Sequence, residues 1–323
     1  MPAEIGIGLA ALGRPGYINL GHAEDLGAEH SVSAMQSNAH VVLDAALAQG
    51  VRYFDVARSY GRAEEFLASW IAARGLSPDE MRVGSKWGYT YTADWAVKVP
   101  AGTQHEVKEH SLKVLQKQYG ISQQHFGKHL DLYQIHSATL QSGVLSNDAV
   151  LQCLNEMRKT GLEIGLSVSG VNQSAVIEKA ISIKFDGHRL FHSVQATWNL
   201  LERSAESALA KAHESGMAVI VKESLANGRL TERNDAEEFS ECRKVLNDAA
   251  GQLDMRWDAI AIAAAMNQPW ATTVLSGAAT VEHLEANLQA REITWTEELK
   301  RQLQAIAQPA EQYWNQRSNL AWN

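Results

Sequence analysis

Four side chains in the first half of the chain have the types and spacing to move a proton to a carbonyl oxygen. Asp55, Tyr60, Lys86 and His136 close, or lie just past, three short apolar runs at residues 51–55, 81–86 and 130–135. A free tyrosine, with a pKa near ~10, is a poor acid at neutral pH. A neighbouring ammonium favours the phenolate, so Lys86 is expected to lower that value. A buried lysine needs a counter-ion to stay charged, and Asp55 can supply it. An imidazole at the same place can hydrogen-bond the substrate oxygen and orient it. The set makes a proton relay suited to a carbonyl that is receiving hydride. Taken singly, each residue has a plainer reading: Asp55 as a loop cap, Tyr60 as a turn aromatic before Gly61, Lys86 as a surface amine, His136 as a satisfied strand-end histidine. Their placement on three successive strand ends is what argues for a joint role.

The elements that must position them follow from the hydrophobic pattern. Short apolar runs at 5–9, 51–55, 81–86, 130–135, 162–168, 190–196, 217–221 and 272–275 alternate with amphipathic stretches. The stretches at 38–49, 63–74, 103–118, 147–160, 172–181, 204–214, 236–268 and 281–289 have helical spacing. Eight such cycles predict a parallel sheet covered by helices, closed as a single (β/α)₈ barrel spanning residues 1–323. An extra helix at 296–306 and a tail at 307–323 stand outside the repeat, the tail near the barrel mouth. Residues 13–33 form a long loop rich in Gly and His. Barrels of this kind place chemistry at the C-terminal ends of their strands, where Asp55, Lys86 and His136 fall.

Composition narrows the partners. A formal charge of −8 argues against nucleic acid as the main ligand, though a local site can still hold an anionic cofactor. The two cysteines, Cys153 and Cys242, have neither metal nor disulfide spacing. No signal peptide and no membrane-length apolar stretch is evident, so a cytoplasmic protein is expected.

The stretch Gly50-Val51-Arg52-Tyr53-Phe54-Asp55-Val56-Ala57-Arg58-Ser59-Tyr60-Gly61 resembles the most distinctive signature of the aldo-keto reductase superfamily. Ser85-Lys86-Trp87-Gly88 resembles its lysine motif and Leu132-Tyr133-Gln134-Ile135-His136 its histidine motif. The resemblance implies Tyr60 as acid/base, Lys86 and Asp55 tuning it, and His136 polarising the carbonyl. It also implies a nicotinamide cofactor, with Ser167 and Gln195 at the carboxamide and Trp198 over the nicotinamide face. Lys222, Ser224, Leu225, Asn227 and Gly228 resemble the pyrophosphate loop. Gly277, Ala279, His283 and Asn287 resemble the adenosine-phosphate segment, which uses a helix N-terminus to favour an anion. Many NADP-preferring members carry Lys and Arg where Gly277 and His283 stand. NADPH is the expected cofactor and NADH the alternative.

Other signals are weaker. Gly6-Ile7-Gly8 lacks the directly following helix that a dinucleotide fingerprint of the open-sheet kind requires. The pairs His125/His129 and His188/His192 have metal-like spacing but no acidic ligand motif beside them, and no metal is expected. Trp87 and Trp95, after the third strand, are candidates for an apolar wall of the substrate pocket. The leading expectation is an oxidoreductase acting on small aldehydes, ketones or sugar aldoses and the corresponding alcohols. The alternative implied by the same resemblance is a cofactor-binding regulatory protein like the channel auxiliary subunits, with little turnover.

Overall fold

A period of two along each strand decides which side chains fill the barrel and which meet the helices. The computed structural model, which describes residues 2–27, 29–100 and 102–323, shows eight parallel strands. They are β1 (Glu4–Gly8), β2 (Tyr53–Asp55), β3 (Arg82–Trp87), β4 (Leu130–Ile135), β5 (Glu163–Ser167), β6 (Ser193–Thr197), β7 (Ala218–Lys222) and β8 (Thr273–Ser276). Each pairs with its neighbours in sequence, and β1 closes on β8 with Glu4 opposite Thr273. Tyr53, Leu132, Ile220 and Leu275 form an apolar cluster separate from the main core. Glycine at 84 makes room for it, since a Cβ there would lie 2.2 Å from the Tyr53 hydroxyl. The alternate residues Phe54, Val83, Trp87, Val194 and Ala196 belong to the main core, which the surrounding helices complete.

The helix Ala63–Arg74 has the predicted bounds, ending at Gly75 in the left-handed conformation. Others differ in ways that local hydrogen bonding explains. The first barrel helix is Val32–Ala48, six residues longer at its start than the pattern suggested, because the Ser31 side chain caps Ala34 N. The helix expected at 103–118 is Leu112–Phe126, capped by Ser111. Its supposed first turns instead form a strand, Glu106–Lys108, paired antiparallel with Tyr89–Tyr91. The stretch 236–268 is two helices, Ser240–Leu253 and Trp257–Met266, broken at Asp254, whose φ is +52°. The loop at 13–33 contains a short helix, His22–Leu26, and the tail contains another, Ala310–Ser318. No helix among the described residues is long and apolar enough to cross a membrane.

Beyond that last helix the chain crosses the mouth of the barrel. Trp322 stacks on His105 with centroids 3.9 Å apart. Asn323 exchanges backbone hydrogen bonds with Tyr17 and donates from Nδ2 to Asn19 O. The tail therefore joins the β1 loop to the excursion that follows β3.

Candidate active site

The phenol of Tyr60 stands where two loops meet backbone to backbone. Arg62 N donates to Gly13 O at 2.7 Å, and a Cβ on Gly61, whose φ is +58°, would sit 2.4 Å from that same carbonyl. Only glycine permits this approach. Beneath the loop, the buried Glu64 pairs with Arg58 and accepts from Ser85 Oγ at 2.5 Å and Ser122 Oγ at 2.7 Å. The segment bearing Tyr60 is thereby tied to the strand bearing Lys86.

Lys86 is fully buried and its ammonium makes three contacts: an ion pair with Asp55 Oδ2, a bond to Val56 O at 2.9 Å, and one to Tyr60 Oη at 3.4 Å. The other Asp55 oxygen accepts from Gln195 Nε2 at 2.9 Å, Tyr53 Oη at 3.2 Å and Gln134 Nε2 at 3.4 Å. His136 turns its ring edge-on to Tyr60, with centroids 5.5 Å apart, and its Nδ1 lies 3.5 Å from Ser59 Oγ. The structure thus brings Asp55, Tyr60, Lys86 and His136 together at the C-terminal ends of β2, β3 and β4.

The electrostatics differ from the sequence expectation in one respect. Burial, and next the Asp55 carboxylate, push the Tyr60 phenol well above its ordinary value, with Arg14 opposing. The ammonium does not yield a lowered phenol pKa; desolvation outweighs it. Burial also lowers the Lys86 ammonium, against the pull of Asp55. Burial, reinforced by Lys86 and Lys222, drops His136 well below the ordinary imidazole value, so it is neutral at neutral pH. The pair of a loaded phenol donor and a neutral imidazole suits delivery of a proton to an oxygen that is gaining charge.

These groups open on a cavity of about 420 Å³ that runs from Tyr60 to the start of the helix Val281–Leu288. Asp55, Tyr60, His136, Gln195, Lys222, Ser224, Leu225, Asn227, Gly228, Gly277, His283 and Asn287 line it. Two buried oxygens on its wall, Gln195 Oε1 and Asn227 Oδ1, have no partner among the described residues. Buried acceptors left unpaired mark places where a ligand donor fits. The backbone N–H groups of Leu225, Asn227 and Gly228 also make no hydrogen bond among the described residues, in a turn where residues 226–228 all have positive φ. Such a turn presents donors to an anion. Lys222 Nζ points to Thr197 Oγ1 at 2.7 Å and Ser169 Oγ at 2.9 Å; burial lowers its pKa to about 8 despite Glu223.

Several expected site residues lie elsewhere. Trp198 is buried behind β6, edge-on to Trp270 with Nε1 3.4 Å from Glu206, and does not reach the cavity. Trp87 is buried on the outer face of β3 against His110. Both follow strand parity: Gln195 and Thr197 point inward with Lys86 across the barrel, so Trp198 and Trp87 must point outward. Trp95 bridges loops, donating to His30 O at 2.7 Å, and is also off the cavity. Ser167 Oγ accepts from Ser137 N at 2.8 Å behind the wall, and Ala278 rather than Ala279 faces the cavity.

Other lining groups were missed from sequence. Arg14, Tyr17 and Glu106 surround Tyr60, while Arg233 and Arg256 stand near His283. Glu223, of the pyrophosphate-like loop, is clasped by Arg317 of the tail through both carboxylate oxygens. Burial works to raise the Glu223 pKa, but Arg317 and Lys222 prevail and bring it from 4.5 to about 2. A depressed carboxylate stabilises the fold above its unfolded pKa, and that contribution is lost as pH falls through the folded value. We expect on the order of 3 kcal/mol to disappear as acid pH passes through this window. Denaturant midpoints of the wild type and Arg317→Met should converge on acidification; parallel curves would show that the pair contributes nothing.

A phenol, ammonium and carboxylate in line beside a neutral imidazole, at the mouth of a (β/α)₈ barrel, define a carbonyl/alcohol oxidoreductase site. The family described as "Aldo/keto reductase family" matches residues 4–308, and the chain belongs to it. It is an aldo-keto reductase, an oxidoreductase of the carbonyl/alcohol type. The chain is 24% identical over 279 residues to "Uncharacterized oxidoreductase YqkF" of Bacillus subtilis (strain 168), covering 80% of this chain and 84% of that protein. It is 24% identical over 323 residues to "Protein tas" of Escherichia coli (strain K12), covering 84% and 90%. The fold matches "aldo-keto reductase AKR11C1 from Bacillus halodurans (holo form)" with a TM-score of 0.71 at 21% identity, over 95% of this chain and 93% of that one.

Proposed function

We propose that the protein reduces a small aldehyde or ketone to an alcohol, or runs the reverse, with Tyr60 as the general acid/base. The observation that carries this reading is the hydrogen-bonded line from Asp55 through Lys86 to Tyr60, opening on the cavity beside His136. A bound nicotinamide would supply the hydride. Gln195 Oε1 suits the carboxamide N–H, and the free N–H groups of the 224–228 turn suit the pyrophosphate. His136, neutral, donates to the carbonyl oxygen and holds it against the phenol. Tyr60 gives the oxygen its proton, and the Lys86 ammonium then faces the phenolate. Asp55 keeps that ammonium charged in a site from which water is excluded.

For the cofactor we favour NADPH over NADH. Arg233 and Arg256 bring to the end of the cavity the cationic side chains that Gly277 and His283 do not provide. Arg233 Nη2 lies 3.2 Å from His283 Nε2 and also pairs with Asp25. Titration of tryptophan fluorescence should show tight quenching by NADPH and weaker quenching by NADH. Arg233→Met should narrow the gap about tenfold, the scale of a lost charged hydrogen bond. A preference for NADH would overturn the cofactor choice. Binding of neither, by folded protein, would sink the oxidoreductase reading.

A further inference from the structure

Arg14 is the least expected group at the mouth. It comes from the β1 loop, is 3% exposed, and lines the cavity with Tyr60 and His136. Its guanidinium carbon lies 4.9 Å from the Trp322 ring centroid, 5.0 Å from that of Tyr17 and 5.3 Å from that of Tyr60. One nitrogen carries all its hydrogen bonds: Nη1 donates to Ser59 O at 3.1 Å and to Glu106 Oε2 at 3.0 Å. Nε is buried without a partner. Nη2 makes no hydrogen bond among the described residues, and it is not sealed from the cavity as Nε is.

The donor left open to the cavity is Nη2, an NH₂ group of a permanently charged guanidinium that suits a carboxylate oxygen. A buried cation with a donor unpaired is costly unless something fills it. The neighbouring carboxylates are already engaged elsewhere. Glu106, itself a quarter exposed, is taken up by Arg14 Nη1. Deeper in, Asp55 is paired with Lys86 and Glu223 with Arg317, so neither fills Arg14 Nη2.

We infer that the substrate is a carbonyl compound bearing a carboxylate, an oxo acid, whose carboxylate is taken by Nη2 of Arg14 while its carbonyl meets Tyr60 and His136. This rests on the oxidoreductase reading for the carbonyl, but not for the carboxylate. Arg14 is then a specificity-determining residue. The aromatic walls suit a flat body between the two groups.

Two arms test it. In the first, purified protein is titrated calorimetrically with benzoate and with benzamide, its uncharged counterpart. Benzoate should bind at least about tenfold more tightly, as a charge-assisted hydrogen bond implies. Arg14→Met should remove the difference, and Arg14→Lys, which keeps the charge without the Nη2 donor, should keep only part of it. Glu106→Gln, which removes the competing carboxylate, should tighten benzoate several-fold. Equal affinity for the two ligands, or a preference that survives in Arg14→Met, would overturn the proposal. In the second arm, kcat/KM is compared for 4-carboxybenzaldehyde and the methyl ester of the same acid with NADPH and NADH. The acid should be favoured about tenfold or more, with the ratio falling toward one in Arg14→Met. Reduction of both at equal rates would sink the carboxylate assignment and leave the oxidoreductase standing. Reduction of neither would sink the oxidoreductase reading, while the binding arm still decides Arg14.

Discussion

Tyr60→Phe should lose about 10²–10⁴-fold in turnover, the range for removal of a positioned general acid, and keep its cofactor affinity. The hydroxyl is the only proton-bearing group of the four that is both loaded and aimed into the cavity. His136 is held neutral by burial and nearby cations, so it has no second proton to give. Lys86 is enclosed by Asp55, Val56 O and Tyr60 itself, with no exposed surface. Phenylalanine keeps the ring that contacts His136 and Arg14 and removes one long hydrogen bond, so stability should change by no more than about 1 kcal/mol. Fluorescence titration with the cofactor should be superimposable on the wild type, and single-turnover absorbance at the nicotinamide band should show the loss. Unchanged turnover would transfer the acid role away from Tyr60. A loss of cofactor binding in step with turnover would make the residue a binding group instead.

Lys86→Met should be the more damaging change, because it strikes stability and chemistry together. Asp55 and Lys86 are both buried, and Asp55 has been brought out of water against that one cation. Removing one partner of such a pair typically costs about 3–5 kcal/mol, since the remaining charge is stranded. Gln195, Tyr53 and Gln134 still donate to Oδ1, but Oδ2 loses its ion-pair partner. Equilibrium denaturation should show the loss near neutrality. Lys86→Met with Asp55→Asn should be more stable than Lys86→Met alone. Turnover should fall at least as far as in Tyr60→Phe, the phenolate having lost its ammonium. A variant as stable as the wild type would mean that the pair is hydrated, and additive single changes would mean that the two groups are independent.

These predictions draw on residues that were legible at different ranges. The tetrad was readable because its members end short apolar runs, and a strand end is a local property. Asp55, Tyr60 and Gly61 fall within seven residues, and the barrel only had to bring β2, β3 and β4 side by side. Strand parity was legible in the same way. Gln195 and Trp198 differ by three residues, so one faces the barrel and the other the helices. The expectation that Trp198 covers a cofactor put motif likeness ahead of that alternation, and the structure follows the alternation.

The sequence by itself determined the closed barrel, the order of its strands and helices, and the four polar residues that end adjacent strands, because each rests on periodicity or on neighbours within a turn or a strand. It did not determine the walls of the pocket. Arg14 meets Glu106 across 92 residues and Tyr60 across 46, and Arg317 reaches back 94 residues to Glu223. The excursion Tyr89–Tyr91 with Glu106–Lys108 replaced an expected helix because antiparallel pairing satisfied its backbone, a long-range bargain invisible to local propensity. Trp322 became part of the mouth only when the tail crossed it to stack on His105. Loop side chains carry no period, so their neighbours are set by how the chain closes in space, and the groups that select a substrate were decided there.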